Sequence, residues 1–184
     1  MKANLKISNR HVHLTKETYD QLFDEEMNVL KPLGQGKYFV SDKTLTLKTD
    51  NYEIKNVKII GPFRNYDQIE ISKADANHFK LNPPVRQSGD LQDAEKIMLV
   101  SEKASVSVKG CIIAQRHIHI SPEDAQKYGL KDKQKVTLKL DGERSGMMDA
   151  FVKVTKDANL EIHIDTDESN AFSLANDLEI EIII

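Results

Sequence analysis

Two short segments of this 184-residue chain nearly repeat each other: Arg10-His11-Val12-His13-Leu14-Thr15 and Arg116-His117-Ile118-His119-Ile120-Ser121, 106 positions apart. A repeat at that spacing implies two copies of one structural unit rather than a single continuous sheet. Within each copy, His–aliphatic–His has the period of a β-strand. Residues two apart on a strand face the same side, with Cα atoms ~6.5 Å apart. The Thr or Ser that follows is a helix N-cap type. Each copy therefore predicts a strand that runs into a short helix.

Two further corners share the form. Glu70-Ile71-Ser72 and His163-Ile164-Asp165 each place a metal-capable side chain, an aliphatic residue and an N-cap type in that order. Ser72–Leu81 echoes Ser121–Leu130 at an offset of 49, with Asp75 and Asp124 three residues past the serine. Pro122 occupies a first helical position, and Asp165 with Glu168 makes a capping-box pair. Four strand-to-helix corners result, each presenting a candidate ligand at the end of its strand.

Strand patterns dominate the rest. Residues 44–49 and 52–60 alternate apolar and polar around Asp50-Asn51 and predict a hairpin; 105–114, 135–140, 151–154, 160–164 and 178–184 predict further strands. Helical patterns are short, at 15–24, 72–80, 121–128 and 167–176. Residues 25–42, with Pro32, Gly34 and Gly36, and residues 82–95, with Pro83-Pro84, predict loops. The fold class is mainly β, in barrels or sandwiches carrying small helices.

Composition narrows the chemistry. A formal net charge of −3 with 30% charged residues argues against a strongly basic nucleic-acid binder. No window approaches the 18 or so consecutive apolar residues of a membrane helix. A single cysteine excludes an intramolecular disulfide and a zinc site built from four thiolates. Five of the six histidines lie at the corners.

Two imidazoles on one strand face can converge on an ion, whereas a single His-x-His is as readily a pair of surface histidines. Two copies at matching corners, each preceded by Arg, favour metal. Glu70 and His163 would add one donor each, giving two sites of three protein ligands with a position left open, the catalytic rather than the structural pattern. Imidazole and carboxylate without thiolate suit zinc first, with cobalt, nickel and iron compatible. His78 falls within a helical pattern away from any corner and reads as a bystander. Cys111 shares strand parity with His117 but lies six residues, ~20 Å, away; a buried structural thiol is the expectation. Arg64 reads either as a solvated loop residue or as an anion clamp, and Arg86-Gln87-Ser88-Gly89 as a second potential anion cradle. The acidic residues of Asp165–Ala171 suit a helix N-terminus, and Asn170, one turn in, could also face a site.

The motifs Ser8–Leu14, Gly61-Pro62-Phe63-Arg64 with Gln68–Ser72, Asn82–Arg86 with Ser88–Leu91, Ala114–Ser121 and His163–Glu168 resemble, in order and over nearly the whole chain, the PduL-type phosphotransacylases, the phosphate propanoyltransferase family. The resemblance implies two β-barrels capped by short helices with a dinuclear zinc site between them. It implies residues 1–9 and 115–184 in one barrel and 10–114 in the other, with an excursion at about 25–42. It assigns His11, His13 and Glu70 to one zinc ion and His117, His119 and His163 to the other. Arg64 falls at the phosphate-binding arginine, and Ser8, Ser88 and Asn170 at positions contacting substrate or coenzyme A.

The implied reaction is acyl-CoA plus phosphate to acyl phosphate plus CoA, on propanoyl or acetyl groups. With no plausible cysteine nucleophile, direct attack of phosphate on the thioester is simpler than an acyl-enzyme. A dinuclear zinc hydrolase and a non-catalytic metal-stabilised β-protein use the same residues and stay open as alternatives. The implied partners are acyl-CoA, CoA, phosphate and acyl phosphate, in a homodimer, without nucleic acid or membrane. Only seven residues precede Ser8, so a cytoplasmic enzyme is expected rather than one targeted to a microcompartment by an N-terminal helix.

Overall fold

A computed structural model describes residues 1–34 and 36–184; Gln35, within the loop predicted over 25–42, lies outside the described residues. In chain order the elements of the first half are β1 (Lys2–Ser8), β2 (His11–His13), α1 (Lys16–Leu22), β3 (Val29–Pro32), β4 (Phe39–Lys48), β5 (Glu53–Gly61), β6 (Gln68–Glu70) and α2 (Lys73–Phe79). They continue with β7 (Val85–Arg86), β8 (Glu95–Val100), β9 (Ser105–Ala114), β10 (His117–Ile120) and α3 (Pro122–Tyr128). The chain ends with β11 (Lys135–Leu140), β12 (Gly146–Val154), β13 (Glu161–Asp165), α4 (Thr166–Ala171) and β14 (Glu179–Ile183). The fold is mainly β, with four short helices among the described residues.

The described residues divide into two compact units: Met1–Asn9, Gly34–Gly36 and Gln115–Ile184 in the first, Arg10–Leu33 and Lys37–Ala114 in the second. In the first, six strands close a barrel in the order β1-β13-β10-β12-β11-β14. In the second, β8 pairs with both β4 and β9 and so closes the ring β4-β5-β2-β6-β9-β8, with β3 and β7 appended outside it. The two rings match strand for strand. The parallel pairs β1·β13 and β10·β12 correspond to β9·β6 and β2·β5, and every other step around both rings is antiparallel. β1 and β9 are equivalent, and each is followed along the chain by a histidine-pair strand that belongs to the other ring.

Burial follows strand parity. Leu5, Ile118, Leu138, Val152 and Ile162 fill the first core, and Val12, Leu47, Ile59, Ile69 and Leu99 the second, all at 1% exposure or less. Because Val12 and Ile118 point inward, the histidines flanking each are turned to the opposite strand face.

All four corners form as strands running into helices, each with its expected cap. Thr15, Ser72 and Ser121 accept from the backbone N–H three residues on, at 3.1, 3.2 and 3.1 Å. Asp165 and Glu168 make a complete capping box, Glu168 N–H to Asp165 Oδ1 at 2.8 Å and Asp165 N–H to Glu168 Oε2 at 3.0 Å. The first and last helices are shorter than their patterns. Phe23 is extended beyond α1, and Ser173 takes a left-handed φ of 53° just after α4.

Two predicted loops contain strands. Within 25–42, β3 pairs with β4 as a fully exposed edge, the place in a sheet where a proline such as Pro32 is tolerated. Within 82–95, two-residue β7 pairs with β9. β8 carries Ile97 and Leu99 inward, but apolar Met98 on its outer face masks the alternation that would have announced it.

Candidate metal centres

The third donor of each group is set by cross-strand register. His11 stands opposite Glu70 where β2 pairs with β6, and His117 opposite His163 where β10 pairs with β13. Opposed side chains on one face of an antiparallel pair lie ~5 Å apart, so each His-x-His gains a neighbour from the adjoining strand. The donor atoms of His11, His13 and Glu70 all lie within 4.8 Å of one another, as do those of His117, His119 and His163.

Hydrogen bonding favours cation-facing nitrogens. His13 Nδ1 lies 3.1 Å from the Ile60 carbonyl and His117 Nδ1 2.8 Å from the Gln115 carbonyl. A carbonyl only accepts, so each Nδ1 donates and each Nε2 keeps a lone pair toward its group. The Glu70 carboxylate then faces both imidazoles, Oε1 3.8 Å from His13 Nε2 and Oε2 3.4 Å from His11 Nε2, an arrangement a cation satisfies. In the other group His117 and His119 Nε2 are 3.0 Å apart, and buried His119 Nδ1 has no hydrogen-bond partner among the described residues. Burial and the neighbouring His11 hold the His13 pKa well below the ordinary imidazole value. Burial and the neighbouring His117 and His163 push His119 down to about 2. Both imidazoles are neutral at pH 7, the form that ligates metal. Donor count, donor type and tautomers all fit a divalent ion with an open coordination position.

Beside the His11–His13–Glu70 group lies a polar cluster centred on Arg64. The backbone N–H of Arg64 donates to the Leu14 carbonyl at 2.9 Å, which ties it to the first corner. Its guanidinium donates to the Ser88 hydroxyl at 2.9 Å and the Tyr66 hydroxyl at 3.2 Å, and lies 5.6 Å from the ring centroids of both Tyr38 and Tyr66. Gln68 connects this cluster to Glu70: its amide nitrogen donates to Glu70 at 2.6 Å and to Ser88 at 3.0 Å. Ser88 therefore belongs with Arg64. Arg86 does not; its guanidinium is taken by Asp90, Asp93 and the Gln92 carbonyl within its own loop.

In the first unit Ser8 is the last residue of β1, in register with Asp165, two positions beyond the Lys6–His163 pair. Asn170 is exposed in the last turn of α4, and no hydrogen bond among the described residues joins it to the histidines. His78 is on the surface, its ring stacked on Tyr52 with centroids 5.1 Å apart. Cys111 is fully buried in the second core, and burial pushes its thiol up to about 12. Sequence reasoning missed the parts of Tyr38, Tyr66, Gln68 and Glu161. Glu161 stands opposite His119 and puts an oxygen 3.4 Å from His163 Nε2. Their signal was positional: Gln68 and Glu161 each stand two residues before a third donor, on the same strand face.

A pair of like-wound six-stranded barrels, each carrying a three-donor cluster at a strand-to-helix corner, defines a class of duplicated β-barrel proteins with candidate metal sites. The family model for phosphate propanoyltransferase matches residues 4–175. Curated relatives named phosphate propanoyltransferase include those of Shewanella putrefaciens, 42% identical over 91% of this chain and 81% of the relative, and Thermotoga maritima, 42% identical over 91% and 82%. The Citrobacter freundii relative is 39% identical over 94% and 84%. The chain belongs to the phosphate propanoyltransferase family and is an acyltransferase. Among the described residues no helix is long and apolar enough to cross a membrane.

Proposed function

We propose that this protein interconverts a short-chain acyl-CoA, propanoyl-CoA or acetyl-CoA, and phosphate with the acyl phosphate and CoA. His11, His13 and Glu70 hold one metal ion, and His117, His119 and His163 a second, with zinc the best match to their donors. Bound there, the metal would supply Lewis-acid stabilisation of developing negative charge. The remaining work falls to the chain. Arg64 binds and orients the phosphate dianion through a planar guanidinium suited to two of its oxygens. Tyr38 and Tyr66 hold that guanidinium by their ring faces. Ser88, already accepting from Arg64 and Gln68, has its hydroxyl proton left to donate to a phosphate or carbonyl oxygen. Ser8 and Asn170 contact the coenzyme A portion.

The observation that carries the reading is the chain of contacts Arg64–Ser88–Gln68–Glu70, which puts an anion clamp two side chains away from a metal-type donor group. With Cys111 buried and its thiol protonated, phosphate attacks the thioester carbonyl directly, the carbonyl–sulfur bond breaks, and CoA leaves as the thiolate. A homodimer accompanies the reading on the strength of the family resemblance.

The test is thiol release from propanoyl-CoA and acetyl-CoA by purified protein, with and without phosphate, beside metal content per chain. Phosphate-dependent release with two equivalents of zinc is expected. Equal release without phosphate would establish a hydrolase instead, and full activity in metal-free protein would remove the metals from the mechanism.

A further inference from the structure

The amide of Gln68 is fully buried, with its oxygen and its nitrogen both engaged. The oxygen accepts from Gly89 N–H at 2.8 Å, and the nitrogen donates to Glu70 at 2.6 Å and to the Ser88 hydroxyl at 3.0 Å. A backbone N–H can only donate, so the Gly89 bond fixes which end of the amide faces Glu70. Gly89 takes φ +96°, a conformation open to glycine, and a Cβ added there would lie 3.3 Å from the Tyr66 hydroxyl. The main chain of Gln68 is itself in register with His13. One residue therefore touches a ligand strand by its backbone, the third donor by one N–H and the anion cluster by the other.

The first barrel supplies an internal comparison. Its equivalent residue, two before the third donor, is Glu161, an acceptor 3.4 Å from an imidazole nitrogen of His163. Where the third donor is a carboxylate, the neighbour is an amide donor; where it is an imidazole, the neighbour is a carboxylate.

We propose that Gln68 is a positioning residue that fixes the Glu70 carboxylate for metal binding and couples its orientation to the Arg64–Ser88 anion cluster. By holding one carboxylate oxygen, Gln68 turns the other, Oε2, toward the ion; Oε2 is the oxygen nearer His11, 3.4 Å from its Nε2. Removing such a partner typically costs 10- to 100-fold in metal affinity. Because the same amide donates to Ser88, its loss also loosens the phosphate site, whereas loss of the Ser88 hydroxyl leaves Glu70 held. This rests on the metal reading of the His11–His13–Glu70 group.

The experiment titrates metal-free protein with cobalt(II), followed by its visible absorption, for wild type, Gln68→Met, Ser88→Ala, Glu70→Gln and the Gln68→Met/Glu70→Gln pair. Two cobalt equivalents are expected in wild type. In Gln68→Met one of the two should weaken about 10- to 100-fold with an altered spectrum, while Ser88→Ala keeps both affinities and raises only the phosphate KM. In the Glu70→Gln background, Gln68→Met should weaken cobalt binding no further. If Gln68→Met does not fold, Gln68→Asn, which keeps an amide but draws it back by one methylene, is titrated instead, with weakening in the same direction expected. Wild-type cobalt affinity and spectrum in the Gln68 variant overturn the proposal alone, as does additivity with Glu70→Gln. Wild-type protein that takes up no cobalt overturns the metal reading and the proposal together.

Discussion

Arg10 forms a two-pronged ion pair with Asp75, Nε to Oδ2 at 2.7 Å and a terminal nitrogen to Oδ1 at 2.8 Å. Arg10 precedes the first histidine pair, and Asp75 lies in the first turn of the helix that follows Glu70. The other barrel repeats the device: Arg116 precedes the second pair and meets Glu168, in the first turn of the helix that follows His163. The arginine heading each His-x-His is thus ion-paired to the helix that follows the third donor's strand.

Asp75 is 7% exposed in its side chain, so truncating Arg10 leaves a buried carboxylate without its cation. Arg10→Ala should destabilise the second barrel by about 3 kcal/mol, read as a lower midpoint in urea denaturation. Asp75→Asn, which retains one hydrogen bond, should cost less.

Arg64→Ala should raise the phosphate KM and lower kcat, with a combined loss of about 10- to 100-fold in kcat/KM for phosphate, the worth of one or two charged hydrogen bonds. Steady-state kinetics with varied phosphate at saturating acyl-CoA read this directly. An unchanged phosphate response would remove Arg64 from the site.

Metal-free protein should lose stability as the pH falls below about 6.5, the ordinary imidazole pKa. His13 and His119 are held neutral in the fold, with pKa values depressed by burial and by neighbouring imidazoles, His119 to about 2. Below the ordinary value the unfolded chain binds protons that the folded chain refuses. This contribution is therefore fully present above that pH and declines from there toward the folded-state values. Each histidine adds up to about 1.4 kcal/mol per pH unit. Urea midpoints of chelated protein, compared between neutral and mildly acidic buffers, measure the slope.

Cys111 should resist a thiol reagent such as DTNB in the native protein and react only on unfolding, because its sulfur is fully buried and its thiol pushed up to about 12. Cys111→Ala should keep kcat within a factor of about two once folded. A large loss of kcat with normal stability would reopen a covalent thiol mechanism.

Gly110 is fixed by a close approach of two backbones. A Cβ there would lie 2.3 Å from the Asp67 carbonyl oxygen. The Asp67 side chain holds the first corner, accepting from Thr15 N–H at 2.7 Å and the Thr18 hydroxyl at 2.6 Å. Gly110→Ala should therefore cost about 1–3 kcal/mol and weaken metal binding in the same barrel, measured by thermal melts with and without zinc.

The sequence by itself determined the four corners, their caps and the identity of the six candidate ligands, because each rests on local chemistry. Period-two alternation, a side chain that caps its own helix and an imidazole's affinity for metal are all properties of a few adjacent residues. Tertiary structure decided what depends on neighbours distant along the chain. Register alone set His11 against Glu70 and His117 against His163, and ring closure through β8 was hidden by the outward apolar Met98. Gln68 shows the difference most plainly. Its sequence position, two residues before Glu70, puts it on the donor's strand face and no more; only the fold brings Gly89 and Ser88, 21 and 20 residues away, to its amide. Those three hydrogen bonds, made in a position sealed from water, turn a strand glutamine into part of the site.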